Sequence, residues 1–159
     1  MEQGRYVPLV RVMMVKEKNI PYMAKSVNKP KKVVDLAKKI LSGADREHFL
    51  MLSVDNQIKP LAIEIVSIGT VNRALVHARE VFKHAILANA TYIVTIHNHI
   101  SGNCTPSLPD MELTEQLAEI GRFMGIPLID HVIVGDGYFS FREENMLPEC
   151  EGDSLYIVS

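Results

Sequence analysis

Tryptophan is absent from this chain, cysteine occurs only twice, and no apolar run approaches the ~20 residues that a membrane-spanning helix needs. Each shortage closes a class of explanation. Cys104 and Cys150 have no Cys-x-x-Cys spacing, so neither a disulfide framework nor a thiolate zinc knuckle is expected. Cys104 reads as a small loop residue, because placement alone confers no reactivity on a thiol. The first residues, Met1-Glu2-Gln3-Gly4-Arg5, lack the apolar core of a secretory signal, and a cytoplasmic protein with no membrane partner is the expectation. There is no internal repeat and no low-complexity segment.

Charge is nearly balanced overall, at −2, but not along the chain: residues 1–46 carry +7 and residues 47–159 carry −9. A basic arm on an acidic body can meet nucleic acid or an acidic partner. Here the basic residues are scattered, without interleaved aromatics or a recognisable nucleic-acid motif, so they read as a solvated surface. Hydrophobic content of 47% with 23% charged residues is that of an ordinary globular domain.

Periodicity divides the chain into elements. Val7 to Val15 is apolar and partly β-branched, reading as an edge strand or as an arm that packs on the body or on another subunit, which leaves a homo-oligomer open. After Lys29-Pro30 the apolar residues of Val33–Leu41 recur at helical spacing, and Gly43 stops that helix. Glu47–Val54 and Pro60–Ile68 form a hairpin across Asp55-Asn56-Gln57. A helix starts near Ala78 and carries Val81, Phe82, Ala85 and Ile86 on one side, with His77 and His84 as surface or helix-end histidines. A further helix begins at about Met111, with Leu113, Leu117, Ile120 and Met124 as its core stripe and Gly125 as its end. "IPLIDHVIV" is a strand, Asp136-Gly137 a turn, and "YFSFRE" the returning strand. The acidic tail ends in a short apolar stretch, "LYIV", which can pair with an edge strand. Alternating strands and helices give an α/β fold with a mixed sheet and packed helices.

The informative stretch follows the apolar run Tyr92-Ile93-Val94-Thr95-Ile96. It delivers His97 and His99, which as alternate strand residues share a face and can point at one spot. A turn segment with Gly102 and Pro106 then leads to Ser107 and Asp110, and Asp110 can fold back as a third ligand. Ser107 and Asp110 read equally well as an N-cap and a first-turn acid, and both readings can hold at once. Two neutral imidazoles and a carboxylate suit Zn²⁺, and three protein ligands leave the fourth position open, the mark of a catalytic site. Metal-dependent amidohydrolases also carry His-x-His at a strand end, but on a barrel of ~250 residues, and 159 residues do not reach that.

The full string, His-x-His, seven residues, Ser, two residues, Asp, resembles the motif of JAMM/MPN-type zinc metalloproteases and deubiquitinases. His-Asn-His-x-Ser-Gly, Pro-Ser-x-x-Asp and the later Asp130-His131-Val132-Ile133-Val134-Gly135-Asp136 resemble the RadC-like branch, from about Asn28 to Asn145. The resemblance implies an MPN/JAMM-like domain, a cytidine-deaminase-like sandwich, over residues 28–146. A basic arm with an edge strand (1–27) would precede it and an acidic tail (147–159) would follow. It implies a metallopeptidase that hydrolyses a peptide or isopeptide bond in a peptide or protein substrate, with zinc on His97, His99 and Asp110. Glu47 stands where the family has its upstream glutamate, which takes a proton from the metal-activated water; Glu64 and Glu80 are rival candidates. Ser107 matches the motif serine, which donates a hydrogen bond to the developing oxyanion.

Ile100 replaces the proline common in that branch and supplies no donor, so little effect on coordination is expected. Asp130 and His131 are adjacent on a strand and point to opposite faces; His131 is then a core residue or one that orients a ligand through its other ring nitrogen. No Gly-rich hairpin motif precedes Asn28, so a short form without the upstream helix-hairpin-helix region is expected. Two alternatives stay open. One is a non-catalytic metal-binding module acting in DNA repair as an interaction protein. The other is a Mg²⁺ nuclease, which would favour a more oxygen-rich site than one carboxylate supplies.

Overall fold

A strand that is apolar on both faces must be covered on both sides, and Phe49-Leu50-Met51-Leu52 and Ile93-Val94-Thr95-Ile96 are of that kind. The computed structural model, which describes residues 5–69 and 76–148, covers them with three helices. In chain order the elements are α1 (Pro30–Leu41), β1 (His48–Val54), β2 (Pro60–Ile68), α2 (Ala78–Leu87), β3 (Tyr92–Asn98), α3 (Leu108–Phe123), β4 (Leu128–Val134) and β5 (Tyr138–Ser140). The strands form one mixed sheet in the order β2-β1-β3-β4-β5. Only β3 and β4 run parallel, joined by α3 as their crossover.

Alternation sorts the core into two layers. Leu50, Leu52, Val54, Val94, Ile96, Val132 and Val134 pack on α1 through Val33, Val34, Leu36, Ala37 and Leu41. On the other face Phe49, Met51, Ile93 and Leu128 meet Val81, Phe82 and Ala85 of α2 and Leu117 and Ala118 of α3. The result is an α/β sandwich with helices on both faces of a mixed sheet, consistent with an MPN-like fold. Among the described residues no helix is long and apolar enough to cross a membrane.

Four expectations need correction. Val7–Val15 forms no strand and does not pack on the body; Val7, Leu9, Val10, Val12, Met13 and Val15 are all exposed. β propensity alone does not make a strand, and residues 7–15 pair with no edge of this sheet. Helix α3 starts at Leu108 rather than Met111, because Ser107 caps it and Pro109 suits the first turn. Its stripe differs at one end: Leu117 is buried with Leu113 and Ile120 packed against the core, Thr114, Ala118 and Gly121 are buried beside them, and Met124 is the exposed C-cap. Strand β5 ends at Ser140, whose carbonyl receives Glu144 N–H and whose hydroxyl receives Glu143 N–H, so the chain turns over Phe141–Asn145. The readings made for Cys150 and the "LYIV" tail lie outside the described residues.

Candidate metal centre

The site is assembled where three strands end against the start of α3. In the β1–β3 ladder Phe49 lies opposite His97, with the rings stacked at a centroid distance of 6.0 Å. One pleat further, Glu47 precedes β1 on the same side as His99 follows β3. Asn98, pointing away, clamps the two strand ends: its Oδ1 receives His48 N–H at 2.7 Å and its Nδ2 donates to the Arg46 carbonyl at 3.2 Å. His99 N–H donates to Val134 O, which continues the parallel pairing with β4 one residue past the end of β3.

The loop that follows is folded tightly onto the β4–β5 turn. Asp136 N–H donates to Gly102 O, and a Cβ on Gly135 would sit 2.2 Å from that same carbonyl oxygen. Gly102 has φ of +81°, and a Cβ there would meet the Asp136 carboxylate at 2.7 Å. Both glycines are therefore required for the approach. The close turn brings the Asn103 carbonyl to 2.7 Å from His99 Nδ1. A carbonyl only accepts, so His99 carries its hydrogen on Nδ1, and the neutral ring presents a bare Nε2.

Asp110 is the third residue of α3 and serves two purposes. Ser107 is the N-cap, and its backbone N–H and hydroxyl donate to Asp110 Oδ2 at 2.7 and 2.6 Å, while Asp110 N–H donates back to Ser107 Oγ at 3.3 Å. The capped carboxylate then faces the histidines, with Oδ1 at 3.2 Å from His97 Nε2 and Oδ2 at 3.4 Å from His99 Nε2. Burial opposes ionisation of Asp110, but the His97 and His99 imidazoles beside it and the hydrogen bond from Ser107 outweigh it and hold the carboxyl well below the usual range. The Asp110 carboxylate facing it raises His99, against burial, and the Asn103 carbonyl and the Glu47 charge push the same way.

One ligand atom each from His97, His99 and Asp110 lies within 4.8 Å of the others, and the two Nε2 atoms are 3.0 Å apart. Two imidazole nitrogens and a carboxylate oxygen so placed repel one another unless a positive charge sits between them. The donor set is that of a zinc site, and the arrangement fits one. The focus is graded in depth: His97 is a buried floor, whereas His99 and Asp110 are part-exposed and leave one side of the focus accessible.

The structure thus brings together His97, His99, Asp110 and Ser107, with Glu47 at the rim. The rival glutamates lie elsewhere, Glu64 against His84 and Glu80 against Lys83. His77 is the N-cap of α2, Ile100 is exposed, and Cys104 Sγ lies 3.7 Å from the Gly102 carbonyl. Asp130 and His131 point to opposite faces as their adjacency requires. Asp130 accepts from Ser140 and from Arg142 N–H, while His131 Nε2 lies 2.8 Å from His97 Nδ1. Three contributors were missed in the sequence: Asn98, Asn103 and Thr114, the last placed 2.6 Å from His131 Nδ1. Spacing offered one signal, since Thr114 follows Asp110 by four residues on the same helix face.

Comparison with known proteins agrees with this geometry. A family model described as the RadC-like JAB domain matches residues 27–146. Of the curated relatives, a UPF0758 protein of Rubrobacter xylanophilus is 43% identical over 121 residues, 76% of this chain and 53% of its own. One of Caldanaerobacter subterraneus subsp. tengcongensis is 47% identical over 114 residues, 70% of this chain and 48% of the relative. An archaeal one, of Methanosarcina mazei, is 38% identical over 124 residues, 77% and 54%. The chain spans about half the length of these relatives. With the match covering the whole sandwich and its histidine-bearing strand, the chain belongs to the RadC-like JAB domain family.

Proposed function

We propose that this chain is a zinc-dependent hydrolase acting on an amide bond, peptide or isopeptide, in a peptide or protein substrate. The supporting observation is the convergence of His97 Nε2, His99 Nε2 and an Asp110 oxygen on one partly open focus with the Glu47 carboxylate beside it. His97, His99 and Asp110 would hold a zinc ion, which when bound would supply a Lewis acid and lower the pKa of water toward ~7. Glu47 takes up a proton as water attacks the carbonyl and returns it to the departing amine nitrogen. The Ser107 hydroxyl, which donates to Asp110 Oδ2 at 2.6 Å, turns to the developing oxyanion, and such a donor contributes ~3 kcal/mol to lowering the barrier. Both cysteines suit the reducing cytoplasm, which we take as the working compartment.

The test is hydrolysis of a pooled library of fluorogenic peptides and lysine isopeptides by zinc-supplied protein, with Glu47→Gln as control. Turnover by the wild type and none by the variant, with zinc retained in both, is expected. Zinc retention without turnover in the wild type would favour the non-catalytic module instead.

A further inference from the structure

Which nitrogen of an imidazole carries the proton is settled by what the other nitrogen touches. For His99 the Asn103 carbonyl decides. For His97 the partner is another histidine, so the assignment has to be followed outward to a group that can act in only one way.

That group is the main-chain carbonyl of Asp110, which only accepts. The Thr114 hydroxyl lies 2.6 Å from it and therefore donates its single proton there. Thr114 Oγ1 then has only lone pairs for His131 Nδ1, also 2.6 Å away, so His131 Nδ1 bears a hydrogen. His131 is fully buried, and its hydrogen-bond partners are a hydroxyl and an imidazole, neither of which compensates a buried charge; the ring is neutral and its Nε2 bare. That Nε2 accepts from His97 Nδ1 at 2.8 Å, so the fixed hydrogen of His97 is on Nδ1 and its Nε2 turns into the focus. Run in the opposite sense, the chain would set a Thr114 lone pair against a carbonyl lone pair at 2.6 Å. The His131 ring is held in place between Phe141, stacked at 5.1 Å, and Phe49, edge-on at 5.7 Å.

We infer that Thr114 and His131 are positioning residues forming a one-way hydrogen-bond relay that fixes His97 as its Nδ1–H tautomer and keeps its Nε2 lone pair free for a metal. The relay begins on one proposed ligand, Asp110, and ends on another, His97. Three hydrogen bonds therefore lock α3, β4 and β3 into a single orientation around the focus. The purpose of the relay rests on the zinc reading above; its direction does not.

Two readouts separate the two. In metal-free protein labelled with ¹⁵N-histidine, long-range ¹H–¹⁵N spectra at pH 8 report each tautomer directly. His97 and His131 are both expected as Nδ1–H in the wild type, and an Nε2–H form of either overturns the relay without any substitution being made. Thr114→Val keeps the shape and removes the fixed end. It should bring up the Nε2–H form of His97 and weaken zinc binding, measured against a competing chelator, by about tenfold to a hundredfold. Thr114→Ser should restore both. Unchanged tautomers and unchanged zinc affinity in a folded Thr114→Val or Thr114→Ala variant would also overturn it. Relay tautomers in a wild type that takes up no zinc would leave the relay standing and remove the hydrolase reading instead.

Discussion

Among the described residues two places set an imidazole Nε2 against a carboxylate oxygen, and the closer pair is the lesser site. His84 Nε2 lies 2.6 Å from Glu64 Oε1, whereas His97 and His99 stand 3.2 and 3.4 Å from Asp110. The distance alone makes the first look like an ion pair, yet both partners shift toward neutrality. Burial pushes the Glu64 carboxyl up to about 7 and pushes His84 down. A neutral hydrogen bond sharing one proton is therefore the better description. His84 Nδ1 is buried without a partner among the described residues, and no second histidine approaches. At the metal centre, by contrast, both outer ring nitrogens are held, one by Asn103 O and one by His131. The difference teaches that proximity does not make a metal site. The number of converging lone pairs and the groups that aim them do.

Breaking the comparison should have its largest effect at the ligands. His99→Ala and Asp110→Ala should each lose zinc to background, while His84→Ala keeps it; chelator competition on the three variants reads this directly. Next in size is the base. Glu47→Gln should cost turnover by about 10²–10⁴-fold with zinc content unchanged, whereas Glu64→Gln should leave turnover alone. Ser107→Ala should lower kcat by about 10²-fold and, through loss of the cap, stability by about 1 kcal/mol in urea unfolding.

The smallest effect sharpens the other side of the comparison. Glu64 has its folded-state pKa raised from 4.5 to about 7, so the folded protein binds that proton more tightly than the unfolded chain does. The stability it contributes is present below pH 4.5 and lost as pH rises through 7. Glu64→Gln removes that loss, and its Tm relative to the wild type should rise by about a degree between pH 5 and pH 8, because the group is partly exposed. A constant offset across that range would mean the Glu64 carboxyl titrates normally.

Much of the candidate metal centre was legible because its parts are local. His97 and His99 obey the two-residue repeat of a strand, and Ser107 and Asp110 obey the geometry of a helix start, where capping and metal binding ask for the same residues. Glu47 was named by resemblance and His131 as a core or ligand-orienting residue; how they reach the site, and what escaped altogether, depends on register and on the third dimension. Glu47 reaches the rim only because β1 pairs with β3 so that Phe49 faces His97. His131 meets His97 diagonally across a parallel pair in which its direct neighbour is Thr95, and no spacing in the chain announces that. Thr114 looks like any threonine bonding back along a helix until His131 is seen beside it. The arm over Val7–Val15 forms no strand on this chain for the converse reason: its composition is that of a strand, but composition cannot supply the neighbour a strand requires.

The most direct measurement is native mass spectrometry of untagged wild-type protein at neutral pH after supply of zinc, beside His99→Ala and Asp110→Ala. A single zinc on the wild type, absent from both variants, is the expected result. A wild type that takes up no zinc, or variants that hold it as well as the wild type does, would contradict the three-residue centre and the hydrolase built on it.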